Sequence, residues 1–131
     1  MSREIKFRAW ITNLSIPFMA VQGEPDIETL GSFFHHYCGS EQEKLMQFTG
    51  LKDQKGNDIY EGDIIGDWTD VDGKMEQSKL TVYFDEMLGQ WMLDNSSKQD
   101  KTISYSLFSE LQDFEYEIIG NIYENPDLLP T

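Results

Sequence analysis

Three sets of residues in this chain have types that do chemistry elsewhere. They are His35, His36 and Cys38 in HHYC, a number of paired carboxylates, and the glycines of FTGLKDQKGNDIYEGDII at 48–65. Zinc sites normally bring two pairs of nitrogen or sulfur ligands separated by a spacer. The chain has no further His or Cys, so a closed site would need distant carboxylates or a second subunit. As a nucleophile with a neighbouring histidine base, Cys38 lacks an orienting third group, and residues so close in sequence rarely reach that geometry. The expectation is no metal and no catalytic cysteine.

Gly50, Gly56 and Gly62 recur every six residues. A phosphate loop needs G-x-x-x-x-G-K-[ST], and none of the three is followed by lysine; G-x-G-x-x-G is also absent. As a calcium loop with Gly56 at the invariant sixth place, the stretch puts Leu51 first and Gly62 twelfth, where acids are required. DVDG fares no better, since Gly73 as sixth puts Trp68 first and Lys79 twelfth. The glycines therefore read as turn formers. Glu61/Asp63, Asp85/Glu86 and Glu115/Glu117 are pairs of the sort hydrolases use. With 24 acids in 131 residues, such pairs also arise from composition, as solvated faces of loops and strands.

That acidity bounds the partners. Net charge is −14, divided as −2 over residues 1–50 and −12 over 51–131. Such a surface repels phosphate backbones, and direct nucleic-acid binding is disfavoured. The basic cluster Arg3, Lys6 and Arg8 alternates with Ile5 and Phe7, as on the polar outer face of a half-buried strand. A single cysteine excludes an intramolecular disulfide and fits a reducing compartment. The start, MSREIKFRAW, lacks the apolar run of a signal peptide, and no stretch approaches the ~18 apolar residues of a spanning helix. The expectation is a cytoplasmic protein that does not enter the membrane.

The elements that must position these residues are mostly strands. EIKFRAW at 4–10 alternates polar and apolar; Pro17 demotes any strand after it to an edge or a break. Residues 25–37 read as a short helix or irregular segment. LMQFTGL reads as a strand, DQKGN as a tight turn, and DIY and GDIIGDW as short extended pieces. TDVDGKMEQS and NSSKQDK read as polar loops. Between them KLTVYFD and QWMLD pair across EMLG. SYSLFSELQDF has a helical face at Leu107, Phe108 and Leu111, with Ser104 or Ser106 to cap it. EYEIIGNIY closes as a strand, and Pro126 and Pro130 mark the tail. Short strands with frequent turns predict a small barrel or sandwich.

REIKFRAW at 3–10, TGLKD…G…IYEGDI in the centre and EIIGNIYENPDLL at 117–129 together resemble the YopX family of phage and prophage proteins. The chain departs from the family pattern after Trp10, where ITNLSIPF stands in place of an acidic, polar turn. Residues 17–43 and 94–104 carry no part of the resemblance. It implies a mainly β protein with an SH3-like barrel in the central and C-terminal part, to which the residue pattern adds one short helix and an N-terminal β-containing extension. The domains expected are 1–44 and 45–131, or a single domain over 1–131. The resemblance also implies a phage or prophage origin and carries over no catalytic residue.

The functional expectation is a non-enzymatic accessory protein, without cofactor, that acts through a host or phage protein partner and forms a homo-oligomer. The alternative is an acidic mimic of nucleic acid that inhibits a host DNA-binding protein. Trp10, Trp68, Tyr83, Phe84 and Trp91 divide between core and exposed face. Tyr60, Trp68, Trp91 and Tyr123 are the residues named for an interaction surface, with core packing the stronger reading for Tyr60 and Tyr123.

Overall fold

The computed structural model describes residues 4–12, 17–22, 44–95 and 104–128, and forms two compact units, 1–50 and 51–131. The histidines, Cys38, residues 25–37 and most of NSSKQDK lie outside the described residues.

In the first unit, β1 (Phe7–Ile11) is paired antiparallel with β2 (Phe18–Val21) on one side and β3 (Lys44–Lys52) on the other. Ala9 lies opposite Ala20 and Leu45, and Trp10 opposite Met19 and Lys44. Ala9, Ile11 and Ala20 form a small buried cluster against which Phe7 packs. The buried Gln22 side chain accepts the Phe7 N–H at 3.1 Å, so the entry to β1 is held by a side chain where the ladder ends. β2 begins directly after Pro17 and ends its sheet among the described strands, the edge position proline permits. The alternation holds only in part: Arg8 is buried, and Lys6 lays its ammonium 4.7 Å from the Phe48 ring centre. A long cationic stem packs on apolar surface while its head finds partners. The strand face expected to present Lys6 and Arg8 to solvent therefore does not do so.

The second unit is built on an antiparallel five-stranded sheet that curls as a half-barrel, ordered β10-β9-β8-β5-β11. Its strands are β5 (Asp63–Gly66), β8 (Leu80–Asp85), β9 (Gln90–Asp94), β10 (Ser104–Ser106) and β11 (Glu117–Asn121). Alternate residues of these strands, with Ile59 of β4 (Asp58–Tyr60), supply the core: Ile59, Ile65, Leu80, Val82 and Leu93 are each at most 2% exposed. Helix α1 (Leu107–Asp113) starts at Ser106, whose hydroxyl accepts the Ser109 N–H at 3.4 Å. It buries Leu107 completely and packs Leu111 on the core, while Phe108 stays 60% exposed. The mainly β expectation with one short helix describes these residues.

The sequence blocks at 49–65 and 117–123 interlock here. Asp53 closes the turn before β4 and also reaches β11, where its carboxylate accepts the Ile118 N–H at 3.1 Å. The Gly62 N–H donates to the Val82 carbonyl at 2.9 Å, and the Gly62 carbonyl accepts the Ile122 N–H at 3.0 Å. Gly50, Gly56 and Gly62 all have φ near +85°, the left-handed region that glycine occupies without strain. Gly56 and Gly62 form turns, as their spacing indicated, whereas Gly50 lies within β3.

One expected loop is a structured element. TDVDGKMEQS contains most of a ribbon, β6 (Trp68–Val71) paired with β7 (Lys74–Gln77), closed by Asp72 and Gly73. Both closing residues have positive φ, +52° and +83°, the signature of the two-residue hairpin turn that suits strand twist. Asp-Gly is its strongest sequence signal; the density of acids around it obscures the short alternation.

Candidate functional site

Two of the carboxylates singled out by pairing, Asp63 and Asp85, are consumed by the backbone. Asp63 is 1% exposed and accepts the Tyr60 N–H at 2.7 Å. Asp85 accepts the N–H groups of Met87 and Leu88 at 2.9 and 3.1 Å, holding the β8–β9 turn. Glu117 accepts from the Gln54 amide and pairs with Lys55 at 3.3 Å. These are the Asx-type and cross-strand roles that acids play in turns and ladders.

A different group of residues converges on a pocket of about 250 Å³ in the second unit. Asp67 comes from the link between β5 and β6, Ser78 from the link after β7, and Leu80 from the start of β8. Asn95 follows β9, Tyr105 lies on β10, Glu110 on α1, Phe114 at the end of α1, and Tyr116 just before β11. The neck of the ribbon is fastened at this point: the Asp67 N–H donates to the Ser78 hydroxyl at 3.0 Å, and the Ser78 N–H donates to the Asp67 carbonyl at 3.0 Å. The Phe114 N–H donates to the Glu110 carbonyl at 3.0 Å, ending the helix and turning the Phe114 ring edge-on to Tyr116, centroids 5.9 Å apart.

Among the described residues the pocket is lined by two carboxylates and no lysine or arginine, and neither carboxylate is ion-paired. Burial, and then the neighbouring Asp113, push the Glu110 carboxyl above its ordinary value. Burial, then the charges of Glu110 and Asp67 and the neighbouring Tyr105, push the Tyr116 phenol up to about 12. Tyr116 therefore stays a neutral phenol at physiological pH. It is 6% exposed, and its hydroxyl makes no hydrogen bond among the described residues. Negative potential beside aromatic walls is the chemistry of cation recognition.

The aromatic residues named from sequence separate. Tyr60 is 5% exposed and belongs to the core, so it contributes nothing to a surface. Tyr123 is half-buried in the turn after β11, where its N–H donates to the Asn121 side chain at 3.0 Å. Trp68 is 58% exposed on the ribbon. With Trp68 opposite Gln77 and Asp70 opposite Met75, it shares a face with Met75, itself 61% exposed. Trp91 is half-buried on β9 directly opposite Phe84, the rings edge-to-face at 5.0 Å. Beyond that pair Met87 and Leu88 are 96% and 59% exposed. The pocket residues went unnoticed from sequence because they are spread over about fifty positions; the trace they leave is the alternation FEYE at 114–117.

Among the described residues no helix is long and apolar enough to cross a membrane, and no three His, Cys, Asp or Glu side chains gather as for a metal. A sequence profile of the YopX protein family matches residues 6–130. No curated protein matches the chain. The structure is similar to the crystal structure of protein EF1440 from Enterococcus faecalis, with a TM-score of 0.57 at 21% identity, over 98% of this chain and 100% of that one. At that identity the likeness is one of fold.

Proposed function

The chain belongs to the YopX family, and from that premise we propose a phage or prophage accessory protein that works without catalysis or cofactor, by contact with a protein partner in the bacterial cytoplasm. The observation that carries the reading is the apolar surface of two β-hairpins. Trp68 and Met75 stand together on one ribbon face, and Met87 and Leu88 project from the β8–β9 turn. Exposed aromatic and methionine side chains on rigid strands are what interface centres are made of. Self-association accompanies this role. The acidic-mimic reading draws less support, because Asp53, Asp63 and Asp85 spend their oxygens on backbone N–H groups rather than lining a face as phosphates do.

The test compares the wild-type protein with Trp68→Ser/Met75→Ser and Met87→Ser/Leu88→Ser variants as bait in host lysate, with and without phage genes expressed. Both variants are expected to melt as the wild type does, and at least one to lose a partner that withstands a moderate-salt wash. A partner captured equally by all three proteins overturns the hairpin reading. One lost from all three as salt rises restores the mimic.

A further inference from the structure

Resting on the reading that this chain binds a protein, we infer that the pocket of Asp67, Tyr105, Glu110, Phe114 and Tyr116 receives the guanidinium of an arginine side chain of that partner. Size comes first. Pockets for drug-sized ligands start at roughly 300 Å³, and this one, at about 250 Å³, is matched to a single long side chain. Charge comes second. Asp67 and Glu110 line the cavity, and among the described residues neither is ion-paired and no lysine or arginine lines it.

The third observation is Tyr116. The Tyr116 side chain is 6% exposed, and its hydroxyl, without a hydrogen bond among the described residues, is open to solvent on the pocket wall. That hydroxyl has an acceptor oxygen to offer to a group entering the pocket. A guanidinium carries five N–H donors in one plane, enough for the phenol oxygen and both carboxylates, and its faces stack on aromatic rings. Phe114, 46% exposed and edge-on to Tyr116, and half-buried Tyr105 supply those rings. A lysine ammonium is compact and strongly hydrated, brings three donors and does not stack, so it meets fewer of these groups.

The experiment titrates the full chain with three acetylated, amidated tripeptides: Gly-Arg-Gly, Gly-Lys-Gly and Gly-citrulline-Gly. Binding is followed by NMR shifts of the Tyr105, Phe114 and Tyr116 ring protons and the Glu110 side chain. Citrulline keeps the shape of arginine and removes its charge. The arginine peptide is expected to saturate these shifts, with lysine weaker and citrulline weaker still. Tyr116→Phe and Glu110→Gln should each weaken arginine binding by about tenfold, since each removes a charge-assisted or buried acceptor. Phe114→Ala, at an exposed position, reports ring stacking should either of those variants fail to fold. Equal binding of lysine or citrulline, shifts confined to other residues, or no saturable shift overturns the assignment. Loss of the lysate partner from the Trp68 and Met87 variants, with arginine-peptide binding intact, separates the pocket from the wider partner reading.

Discussion

At the scale of single residues, Asp53, Asp63, Asp70 and Asp85 act on the backbone, each accepting N–H groups of its turn. Asp53 is the clearest case. It is 6% exposed, and its carboxylate accepts the N–H groups of Lys55, Asn57 and Ile118 at 3.0, 2.8 and 3.1 Å. Burial alone would raise its pKa, but these hydrogen bonds, from Ile118 and Asn57 foremost, outweigh it and hold the carboxyl below the ordinary 3.8. A carboxyl depressed in the folded state stabilises that state above the unfolded value, and the contribution disappears as pH falls through the folded value. Acid unfolding monitored by tryptophan fluorescence should therefore show Asp53-linked stability lost below pH 3.8. Asp53→Ala strands three N–H groups and should cost about 3 kcal/mol at pH 7, with a flatter stability profile below pH 3.8. An unchanged acid profile would remove Asp53 from this role. Sequence shows an Asp in a D-x-x-G turn and thus the local bonds; the bond to Ile118, 65 positions away, is visible only once β11 lies alongside.

At the scale of elements, legibility followed the strength of the local pattern. KLTVYFD and QWMLD pair as their composition predicts, because β-branched and aromatic residues fill both strands and a D-x-x-x-G turn joins them. Ser106 caps the helix, one of two serines the pattern offered. The ribbon was read as a loop because Asp70, Asp72 and Glu76 dominate its composition, although backbone pairing is indifferent to side-chain polarity where no core is at stake. The ribbon rests on its turn and its fastened neck, so it should yield separately from the sheet. Gly73→Ala forces a Cβ into φ +83°, at a cost of about 1 kcal/mol. Hydrogen exchange at residues 68–77 should accelerate about fivefold while Leu80–Asp85 stays protected. Matching acceleration in both segments would show the ribbon to be part of the cooperative core. The pocket was illegible for the opposite reason to the ribbon: its residues are individually ordinary and meet only through sheet order and the end of α1.

At the scale of the whole molecule, the proposed self-association needs a strand edge to act through, since an unpaired edge with no charge on it recruits another strand. In the second unit β11 ends its sheet, but the Asp53 turn covers it: Asp53 accepts the Ile118 N–H, and the Gln54 N–H donates to the Tyr116 carbonyl. The ribbon edges carry Asp70, Asp72, Lys74 and Glu76, the charges that keep edges apart. Among the described residues β2 has neither defence. Its sequence is FMAV, it ends its sheet among the described strands, and Phe18 and Val21 are 36% and 56% exposed. Antiparallel pairing of β2 with its counterpart, a symmetric contact of the commonest kind, is the expected homo-oligomer interface. Light scattering after gel filtration should give twice the 15.2 kDa chain mass for the wild type, and the single-chain mass for Val21→Lys with an unchanged melting temperature at high dilution. Val21→Lys acts at the edge because its position opposite Arg8 is exposed rather than core-facing, so a change in mass reports pairing and not unfolding. A wild type that stays at the single-chain mass at every concentration, or a Val21→Lys protein that keeps the doubled mass, removes β2 as the interface.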